Sequence, residues 1–369
     1  MSARRSGVLS GALERLWWRR PAPFDEAWLW PLSLLSLGWR AGSGLGRLAA
    51  RPERVGAPVI SVGNLAVGGA GKTPVALLLC DRLRARGRRP AQLSRGHGGS
   101  ARGEVTWVCR GAGPLVAAEV SGDEPALAAL RSPWLPVLVG PRRAALARAA
   151  VAAGADVLVL DDGLQHRGLW RDLDVVVADA RNPLGNGRLL PRGPLREGPG
   201  ALERLGARGL LWLTGGGAGD AAPETALLRA RAAAAGLQGP VESAFVLRGG
   251  ERLRGARVVL LAGIARPERF EASVRALGAE VRGVRWFADH HVFTVGELDS
   301  TLSLSGAEGA RVVTTEKDLV RLPPGFAAEA LAGDAVVRGG EDALKTALDR
   351  ILAEGGDRAA AKPSRGGGA

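Results

Sequence analysis

Residues 58–74 read PVISVGNLAVGGAGKTP, and the fold of the surrounding chain can be inferred from them. Val59 to Val62 form a short apolar run that enters a glycine-rich turn, and Pro74 to Arg86 then carry apolar residues at helical spacing. A strand, a glycine loop and a helix in this order open an α/β domain. Further strands are predicted at residues 157–160, 173–178, 258–262 and 311–314, which is typical of a doubly wound parallel sheet.

The glycine loop also predicts a phosphate-binding site. Successive backbone N–H groups in such a loop surround phosphate oxygens, and the N-terminus of the following helix adds partial positive charge. The pattern assigns Lys72 to the β- and γ-phosphates of a nucleotide and the Thr73 hydroxyl to Mg²⁺. One position departs from the usual pattern, because Ala66 stands where a glycine is expected. The sequence thus predicts a P-loop NTPase-like domain that binds ATP and Mg²⁺ through Gly68, Gly69, Ala70, Gly71, Lys72 and Thr73.

Two adjacent carboxylates, Asp161 and Asp162, end the apolar run VLVL of residues 157–160. In P-loop proteins an acidic residue at the end of a neighbouring strand helps to hold Mg²⁺. Taken alone, the pair would be equally typical of a turn or a helix N-cap. Because the chain also contains the glycine loop, we predict that both aspartates belong to the metal site.

The composition of the 369-residue chain is compatible with two domains, a reducing compartment and an anionic partner. Hydrophobic residues make up 46% of the chain, which is enough for sizeable cores. The two cysteines, Cys80 and Cys109, are too few for a disulfide framework and lack metal-ligand spacing. A formal net charge of +13 favours nucleic acid, an acidic membrane or a phosphorylated substrate, and composition alone does not distinguish them.

The first fifty residues contain a segment rich in tryptophan and arginine. Residues 27–39 read AWLWPLSLLSLGW, an uncharged run that Pro31 interrupts and that is shorter than the ~20 residues a membrane-spanning helix needs. Tryptophan prefers the headgroup layer, and arginine gains from anionic lipid there. We therefore predict an amphipathic segment that lies in a membrane interface. An ordinary core helix with a basic exposed face is the alternative.

Beyond the loop, the chain resembles the tetraacyldisaccharide 4'-kinase family of lipid A biosynthesis. The family reads GNL-x-x-GG-x-GKTP at its loop, and residues 63–74 here read GNLAVGGAGKTP. The resemblance extends over about residues 25–325, with the family's further motifs in the same order. They are SRG at 94–96, GDEP at 122–125, DDGLQH at 161–166, GNG at 185–187, GPLRE at 193–197, AGIARP at 262–267, DHH at 289–291 and TEKD at 315–318.

This resemblance implies ATP-dependent phosphorylation of the 4'-hydroxyl of an acylated glucosamine disaccharide 1-phosphate. It also implies a peripheral enzyme on the cytoplasmic face of the bacterial inner membrane, in contact with an anionic lipid surface. Neither nucleic acid nor an obligate protein partner is expected. Two residues depart from the family, since His97 stands where a tyrosine is usual and Arg192 replaces a small residue.

The resemblance also assigns roles to single residues. Asp123 matches the family's proposed base, and His290 matches the histidine that pairs with it to accept the hydroxyl proton. Arg143 matches an arginine placed to neutralise charge on the transferred phosphoryl group. Glu197 is assigned to Mg²⁺ or to the substrate. From the residues alone, Asp123 is also compatible with a helix cap, and His290 with a solvent-facing loop.

The TEKD stretch, residues 315–318, follows a predicted strand. We predict that it binds the adenine, with the Lys317 stem stacked on the ring and Asp318 accepting a hydrogen bond from the exocyclic amine.

Four parts are predicted along the chain. Residues 1–52 form the membrane-interface segment, residues 53–172 with 330–354 form the P-loop core, 173–329 form a smaller α/β domain, and 355–369 form a disordered tail. This division puts Asp123 and His290 on different domains and predicts a closure that brings them together.

Two other functions are compatible with parts of the sequence. A membrane-associated P-loop switch ATPase that recruits partners shares the paired glycines, but its signature lysine is absent, since Val67 occupies that position. A nucleic-acid ATPase is favoured only by the net charge, because the aromatic residues cluster near the N-terminus instead of alternating with basic residues. The lipid kinase therefore remains the favoured hypothesis.

Overall fold

The computed structural model describes residues 16–18, 29–48, 50–215 and 221–360. In chain order the strands are β1 (Val59–Gly63), β2 (Pro90–Ser94), β3 (Thr106–Arg110), β4 (Pro136–Val139), β5 (Val157–Asp161), β6 (Leu173–Asp179), β7 (Gly209–Thr214), β8 (Gln238–Arg248), β9 (Arg257–Ala262), β10 (Glu280–Trp286), β11 (Arg311–Thr315) and β12 (Glu329–Gly339). The α-helices are α1 (Trp30–Leu48), α2 (Lys72–Ala85), α3 (Ala118–Ser121), α4 (Asp123–Arg131), α5 (Arg143–Ala152), α6 (Pro223–Ala234), α7 (Pro267–Ala276), α8 (Val295–Ala307), α9 (Glu316–Leu319) and α10 (Glu341–Ala360).

Two compact units form from segments that are distant in sequence. Unit 1 comprises the described residues of 1–95, 140–244 and 337–369, and unit 2 comprises residues 96–139 and 245–336. The boundary predicted at residue 173 lies inside unit 1, because β6 pairs with β1 and β7 there. Sequence order does not show which strands become neighbours. The prediction therefore divided the chain into consecutive segments, whereas each unit combines segments that are distant in sequence.

Unit 1 is built on parallel strands in the order β8-β7-β6-β1-β5-β2. Strands β1, β2, β5 and β6 are buried along their whole length, as expected for a parallel sheet covered on both faces. This explains their continuous apolar sequences. Pairing of Val62 with Asp161 brings the carboxyl ends of β1 and β5 together, and the glycine loop leaves β1 at that edge.

Unit 2 contains parallel strands in the order β10-β9-β11-β12 and an antiparallel pair, β3 with β4. Its core gathers the apolar residues of β9, α7 and β11, including Val258, Phe270 and Val313. The predicted α/β class, with a parallel sheet and a second, smaller α/β unit, is therefore confirmed.

Both ends of the described chain differ from the prediction. Helix α1 begins at Trp30, so Pro31 lies in its first turn, where no N–H is needed, and does not interrupt the apolar run. Helix α10 extends to Ala360, so residues 355–360 are helical and the disordered tail predicted there is wrong. Residues 361–369, and the predicted interface residues before Trp30 other than 16–18 and 29, lie outside the described residues.

Candidate functional site

The phosphate loop of unit 1 leads directly into helix α2. Gly71 precedes the helix with φ 83°, a left-handed conformation that glycine adopts without strain. The first turn of α2 contains no acidic residue, so its free N–H groups and partial positive charge face an anion without competition. The loop is therefore shaped for phosphate, as its sequence predicts.

Lys72 lies at the start of α2 beside the carboxylate of Asp162. Its Nζ is 3.6 Å from Asp162 Oδ1, and Arg196 Nη1 donates to both oxygens of the same carboxylate at 2.9 Å. Burial would raise the pKa of Asp162, but the charges of Lys72 and Arg196 outweigh it and lower that pKa below the ordinary value. Asp162 therefore stays ionised and holds two cations at the loop.

The residues at the ends of β1 and β5 fit a Mg²⁺ ion. Thr73 donates its hydroxyl proton to Asp161 Oδ2 over 2.9 Å, and Asp162 follows in sequence. Hydroxyl and carboxylate oxygens are the donors that Mg²⁺ prefers, and nucleotide phosphates complete such a site. Among the described residues no group of three or more His, Cys, Asp or Glu side chains could hold a metal.

Arg143 begins helix α5 and is buried, with Nη1 donating to the carbonyl of Gly140 at 3.0 Å. Burial and the nearby charge of Arg95 lower its pKa to about 10, so the guanidinium remains charged near neutral pH. Its Nε has no hydrogen-bond partner in the described part of the chain. A buried guanidinium N–H without a partner fits a phosphate oxygen.

Glu197 is also buried in unit 1, where it accepts a hydrogen bond from Arg204 Nη2 at 2.5 Å. The neighbouring residues Arg196 and Leu195 lie against the phosphate loop. Arg196 N donates to Leu65 O at 2.7 Å, and Ala66 forms a bridge with Leu195. Ala66, the residue that departs from the P-loop pattern, thus pairs with the backbone at Leu195.

In unit 2, Asp123 and His290 form a close pair. Asp123 Oδ2 and His290 Nδ1 are 2.7 Å apart, although 167 residues separate them in sequence. Asp123 is the first residue of α4, directly after Gly122, where a side chain would clash with the carbonyl of His97. Because both residues belong to unit 2, the prediction that they lie on different domains is wrong, and no closure is needed to bring them together.

Lys317 identifies the tautomer of His290. Its Nζ lies 3.4 Å from His290 Nε2 and donates to Asp289 Oδ1 at 2.9 Å. An ammonium group only donates, so the neutral imidazole accepts at Nε2 and donates its Nδ1 proton to Asp123. Burial would raise the pKa of Asp123, but this hydrogen bond and the charge of Arg321 lower it overall.

The loop that carries His290 is held by its neighbours. His290 has φ 61°, a conformation that is uncommon outside glycine and is often found at functional sites. The next residue, His291, stacks on Phe287 with ring centroids 4.7 Å apart and bonds Glu297 at 2.9 Å. That hydrogen bond and one from the Thr294 backbone lower the pKa of Glu297 to about 2. His97, the departure from the family tyrosine, lies edge-on to His290 with centroids 6.2 Å apart.

The buried side chain of Arg321 connects this pair to neighbouring residues of unit 2. Its Nε lies 3.4 Å from Asp123 Oδ2, Nη1 donates to the carbonyl of His291 at 3.0 Å, and Nη2 donates to Asp318 at 2.5 Å. Asp318 is fully buried and also accepts from Gly263 N and from Thr315 Oγ1. Both of its oxygens are therefore engaged within unit 2. This geometry favours a structural role over adenine recognition.

The predicted site residues thus form two groups. Lys72, Thr73, Asp161 and Asp162 converge in unit 1, and Asp123, His290, Lys317 and Asp318 converge in unit 2. Sequence reasoning missed Arg196 and Arg321. Arg321 lies three residues after Asp318, a helical ion-pair spacing that could have been noticed. Arg196 gave no local signal beyond its place in GPLRE, because its partner Asp162 is 34 residues away.

Helix α1 places its apolar residues outward. Trp30 is 61% exposed, Leu34 is 62% exposed and Leu45 is 69% exposed, whereas Ser36 is buried against the rest of unit 1. This arrangement reverses the usual one, in which apolar residues face the core. Among the described residues, no helix is both long and apolar enough to cross a membrane.

Comparison with known proteins gives consistent matches. The family model described as tetraacyldisaccharide-1-P 4'-kinase matches residues 26–353. A tetraacyldisaccharide 4'-kinase of Anaeromyxobacter sp. (strain Fw109-5) is 52% identical over 369 aligned residues, covering 93% of this chain and 97% of that protein. One of Methylobacterium sp. (strain 4-46) is 43% identical, covering 85% and 90%.

A solved structure is similar over most of the chain. It is the "apo" form of LpxK from Aquifex aeolicus in complex with ATP. The TM-score is 0.62 with 26% sequence identity, and the match covers 89% of this chain and 98% of that one.

Proposed function

Because the chain belongs to the tetraacyldisaccharide-1-P 4'-kinase family, we propose that it transfers the γ-phosphoryl group of ATP to the 4'-hydroxyl of tetraacyldisaccharide 1-phosphate. The observation that carries the proposal is the 2.7 Å contact between Asp123 and His290. A P-loop alone is shared by kinases and switch ATPases, whereas a carboxylate–imidazole pair supplies the proton acceptor that a hydroxyl substrate needs.

Unit 1 binds the nucleotide in this proposal. The loop N–H groups and Lys72 hold the phosphates, and the Arg143 Nε neutralises charge on the transferred group. Thr73, Asp161 and Asp162 hold Mg²⁺, with Glu197 as a further candidate. The bound ion neutralises phosphate charge and aligns the phosphoryl group.

Unit 2 accepts the proton. Asp123 Oδ2 accepts the Nδ1 proton of His290, and Oδ1 is the oxygen assigned to the substrate hydroxyl. As the substrate oxygen bonds to the γ-phosphorus, the bond from that phosphorus to the β-bridging oxygen breaks and ADP leaves. The hydroxyl proton passes to Asp123 Oδ1, while His290 stabilises the pair.

We also propose a peripheral position on the cytoplasmic face of the inner membrane. The outward apolar residues of α1 would enter the lipid interface, and the basic chain would be attracted to anionic headgroups. The acylated substrate resides in such a surface, so this position would bring enzyme and substrate together.

An in vitro assay tests the reaction. Purified enzyme receives ATP, Mg²⁺ and tetraacyldisaccharide 1-phosphate in detergent micelles, and the 4'-phosphorylated lipid is measured. We expect product from the wild type and a loss of product with Lys72→Ala and with Asp123→Ala. Glu119→Gln, which removes an exposed carboxylate of unit 2, is the matched control and should retain activity.

The same assay separates the alternatives. ATP turnover should require the acylated disaccharide and should not respond to added DNA or RNA. Absence of phosphorylated lipid from the wild type would overturn the proposal, and lipid-independent hydrolysis would favour the switch ATPase.

Vesicle sedimentation tests the membrane position. The triple substitution Leu34→Ser, Leu37→Ser and Leu45→Ser should weaken binding to vesicles that contain phosphatidylglycerol. Leu115→Ser, at an exposed leucine of unit 2, is the control. Equal binding by the triple variant and the wild type would show that α1 is not the membrane contact.

A further inference from the structure

A short stretch of unit 1, residues 189–197, lies against the phosphate loop and is called here the bracing segment. Val67 N donates to Pro194 O at 2.8 Å, and Arg196 N donates to Leu65 O at 2.7 Å. These hydrogen bonds hold the backbone just before the glycines of the loop. The Arg196 side chain continues the connection, because it bonds the carboxylate of Asp162 that faces Lys72.

The other side of the bracing segment is held by helix α1. Trp39 Nε1 donates to Arg196 O at 2.9 Å. The single hydroxyl proton of Ser36 is shared between Leu189 O at 3.1 Å and Leu32 O, within α1, at 3.0 Å. Arg192 Nη1 donates to Ser33 Oγ at 2.6 Å, which gives the departure from the family pattern a partner within the protein. Three hydrogen bonds therefore join the inward face of α1 to this one segment.

The two faces of α1 thus have separate chemistry. The outward leucines suit lipid, while Ser33 and Ser36 serve the bracing segment. Trp39 belongs to both faces, since its ring is 44% exposed while its N–H is bound to the protein. A helix that served only to reach lipid would not need directed polar contacts with a loop next to the nucleotide site.

We propose that Trp39 is a positioning residue of the phosphate site, through which α1 holds Arg196 and thereby Asp162 and Lys72. The inference rests on ATP binding at the glycine loop, as in the proposed function. The carboxylate of Asp162 pairs with two cations, Lys72 and Arg196. If the hydrogen bond from Trp39 to the Arg196 carbonyl is lost, the Arg196 side chain is held less firmly and competes less well with Lys72 for the Asp162 carboxylate. Lys72 then pairs more tightly with that carboxylate and less with phosphate, so ATP binds more weakly.

The variant Trp39→Phe tests this, because it keeps the exposed aromatic ring and removes only the N–H donor. The matched control is Trp170→Phe, which removes an indole N–H bonded to Asp172 Oδ1 at 3.0 Å, next to the start of β1. For each protein we would measure the melting temperature, the Kd of a non-hydrolysable ATP analogue with Mg²⁺ by calorimetry, and kcat with KM for ATP and for the lipid.

We expect Trp39→Phe to raise the nucleotide Kd and the KM for ATP about two- to fivefold, the effect of one partly exposed hydrogen bond. The KM for the lipid should stay unchanged, and Trp170→Phe should leave the nucleotide Kd at the wild-type value. Ser36→Ala, which removes a second tie to the bracing segment, should change the Kd in the same direction by a smaller factor.

Three results would overturn the inference. A higher lipid KM at unchanged nucleotide Kd would make Trp39 a lipid contact only. A lower melting temperature and kcat at unchanged nucleotide Kd would make Trp39 a structural residue only. Equal changes of the nucleotide Kd in Trp39→Phe and Trp170→Phe would show that the Trp39 hydrogen bond has no specific effect on the phosphate site. Because nucleotide affinity is measured without the lipid, these results remain distinguishable from a failure of the proposed kinase reaction.

Discussion

Each unit contains an aspartate whose pKa is lowered below the ordinary value although partial burial would raise it, and the partners that lower it differ between the units. In unit 1 the partners of Asp162 are the amine of Lys72 and the guanidinium of Arg196. In unit 2 the largest effect that lowers the pKa of Asp123 is its hydrogen bond with the imidazole of His290. The histidines differ as well, since His166 of unit 1 is surrounded by the cations Arg143 and Arg171.

The difference separates two kinds of chemistry. A carboxylate between two cationic side chains, as at Asp162, suits a site that binds phosphate and Mg²⁺. A carboxylate bonded to imidazole can accept a proton and share it, which suits general-base catalysis. Unit 1 is therefore expected to control nucleotide affinity and unit 2 the chemical step. The predictions below test that separation.

The largest effect is expected for Asp123→Asn. An amide cannot accept the hydroxyl proton, so kcat should fall about 10³-fold, within the usual range for loss of a general base. The Kd of an ATP analogue, measured by calorimetry, should stay unchanged, because Asp123 is not among the residues proposed to bind the phosphates or Mg²⁺. A large loss of nucleotide affinity in this variant would contradict the proposed separation.

The opposite pattern is expected for Lys72→Met. Removing the cation leaves Asp162 with Arg196 and deprives the phosphates of their charged partner. The nucleotide Kd should rise, and kcat/KM for ATP should fall about 10²-fold. Lys345→Met, which removes a lysine of α10 outside the phosphate loop, serves as the control. If Lys72→Met lowered kcat alone, unit 1 would not be the affinity site.

The two regions also differ in how far they could be predicted from the sequence. Lys72, Thr73 and the strand that precedes them are contiguous, so local spacing predicted their secondary structure, while their roles toward phosphate and Mg²⁺ stay predictions. Asp161 and Asp162 were found because a strand end beside a P-loop has a known meaning. For unit 1, therefore, short-range sequence pattern and parallel-sheet geometry were nearly sufficient.

Unit 2 could not be assembled in this way. Asp123 and His290 were identified by resemblance, but their placement on separate domains was wrong, because residues 96–139 join residues 245–336. Such a pairing depends on which strands become neighbours, and periodicity within a strand carries no information about that. Asp318 shows the same limit, since its burial and engaged oxygens follow from Gly263 and Arg321 in three dimensions.

A smaller effect is expected for Arg321→Lys. Lysine keeps the charge near Asp123 but cannot bond Asp123, Asp318 and the His291 carbonyl together, as the guanidinium does. Looser positioning of the pair should lower kcat about tenfold, without changing the nucleotide Kd. Arg275→Lys, at an exposed arginine of α7, is the matched control. If Arg321→Lys had no effect on kcat, charge alone rather than position would account for the role of Arg321.

The smallest effect concerns stability and comes from His166. Burial, Arg143 and Arg171 lower its pKa from 6.5 to about 4, so the folded protein keeps this imidazole neutral where the unfolded chain is protonated. Between these values the unfolded state binds more protons, and the free energy of unfolding should fall as the pH is lowered from about 6.5 towards 4. One such group contributes at most about 1.4 kcal/mol per pH unit.

His166→Gln should flatten the pH dependence in this window, as measured by urea denaturation at several pH values. Asp123 also faces cations, but it is an acid, and its lowered pKa gives stability that is lost only at lower pH, as the pH falls through that lowered value. If His166→Gln left the slope between pH 6.5 and 4 unchanged, burial and the charges of Arg143 and Arg171 would not control the protonation of this histidine, and the contrast between the two units would apply to their aspartates alone.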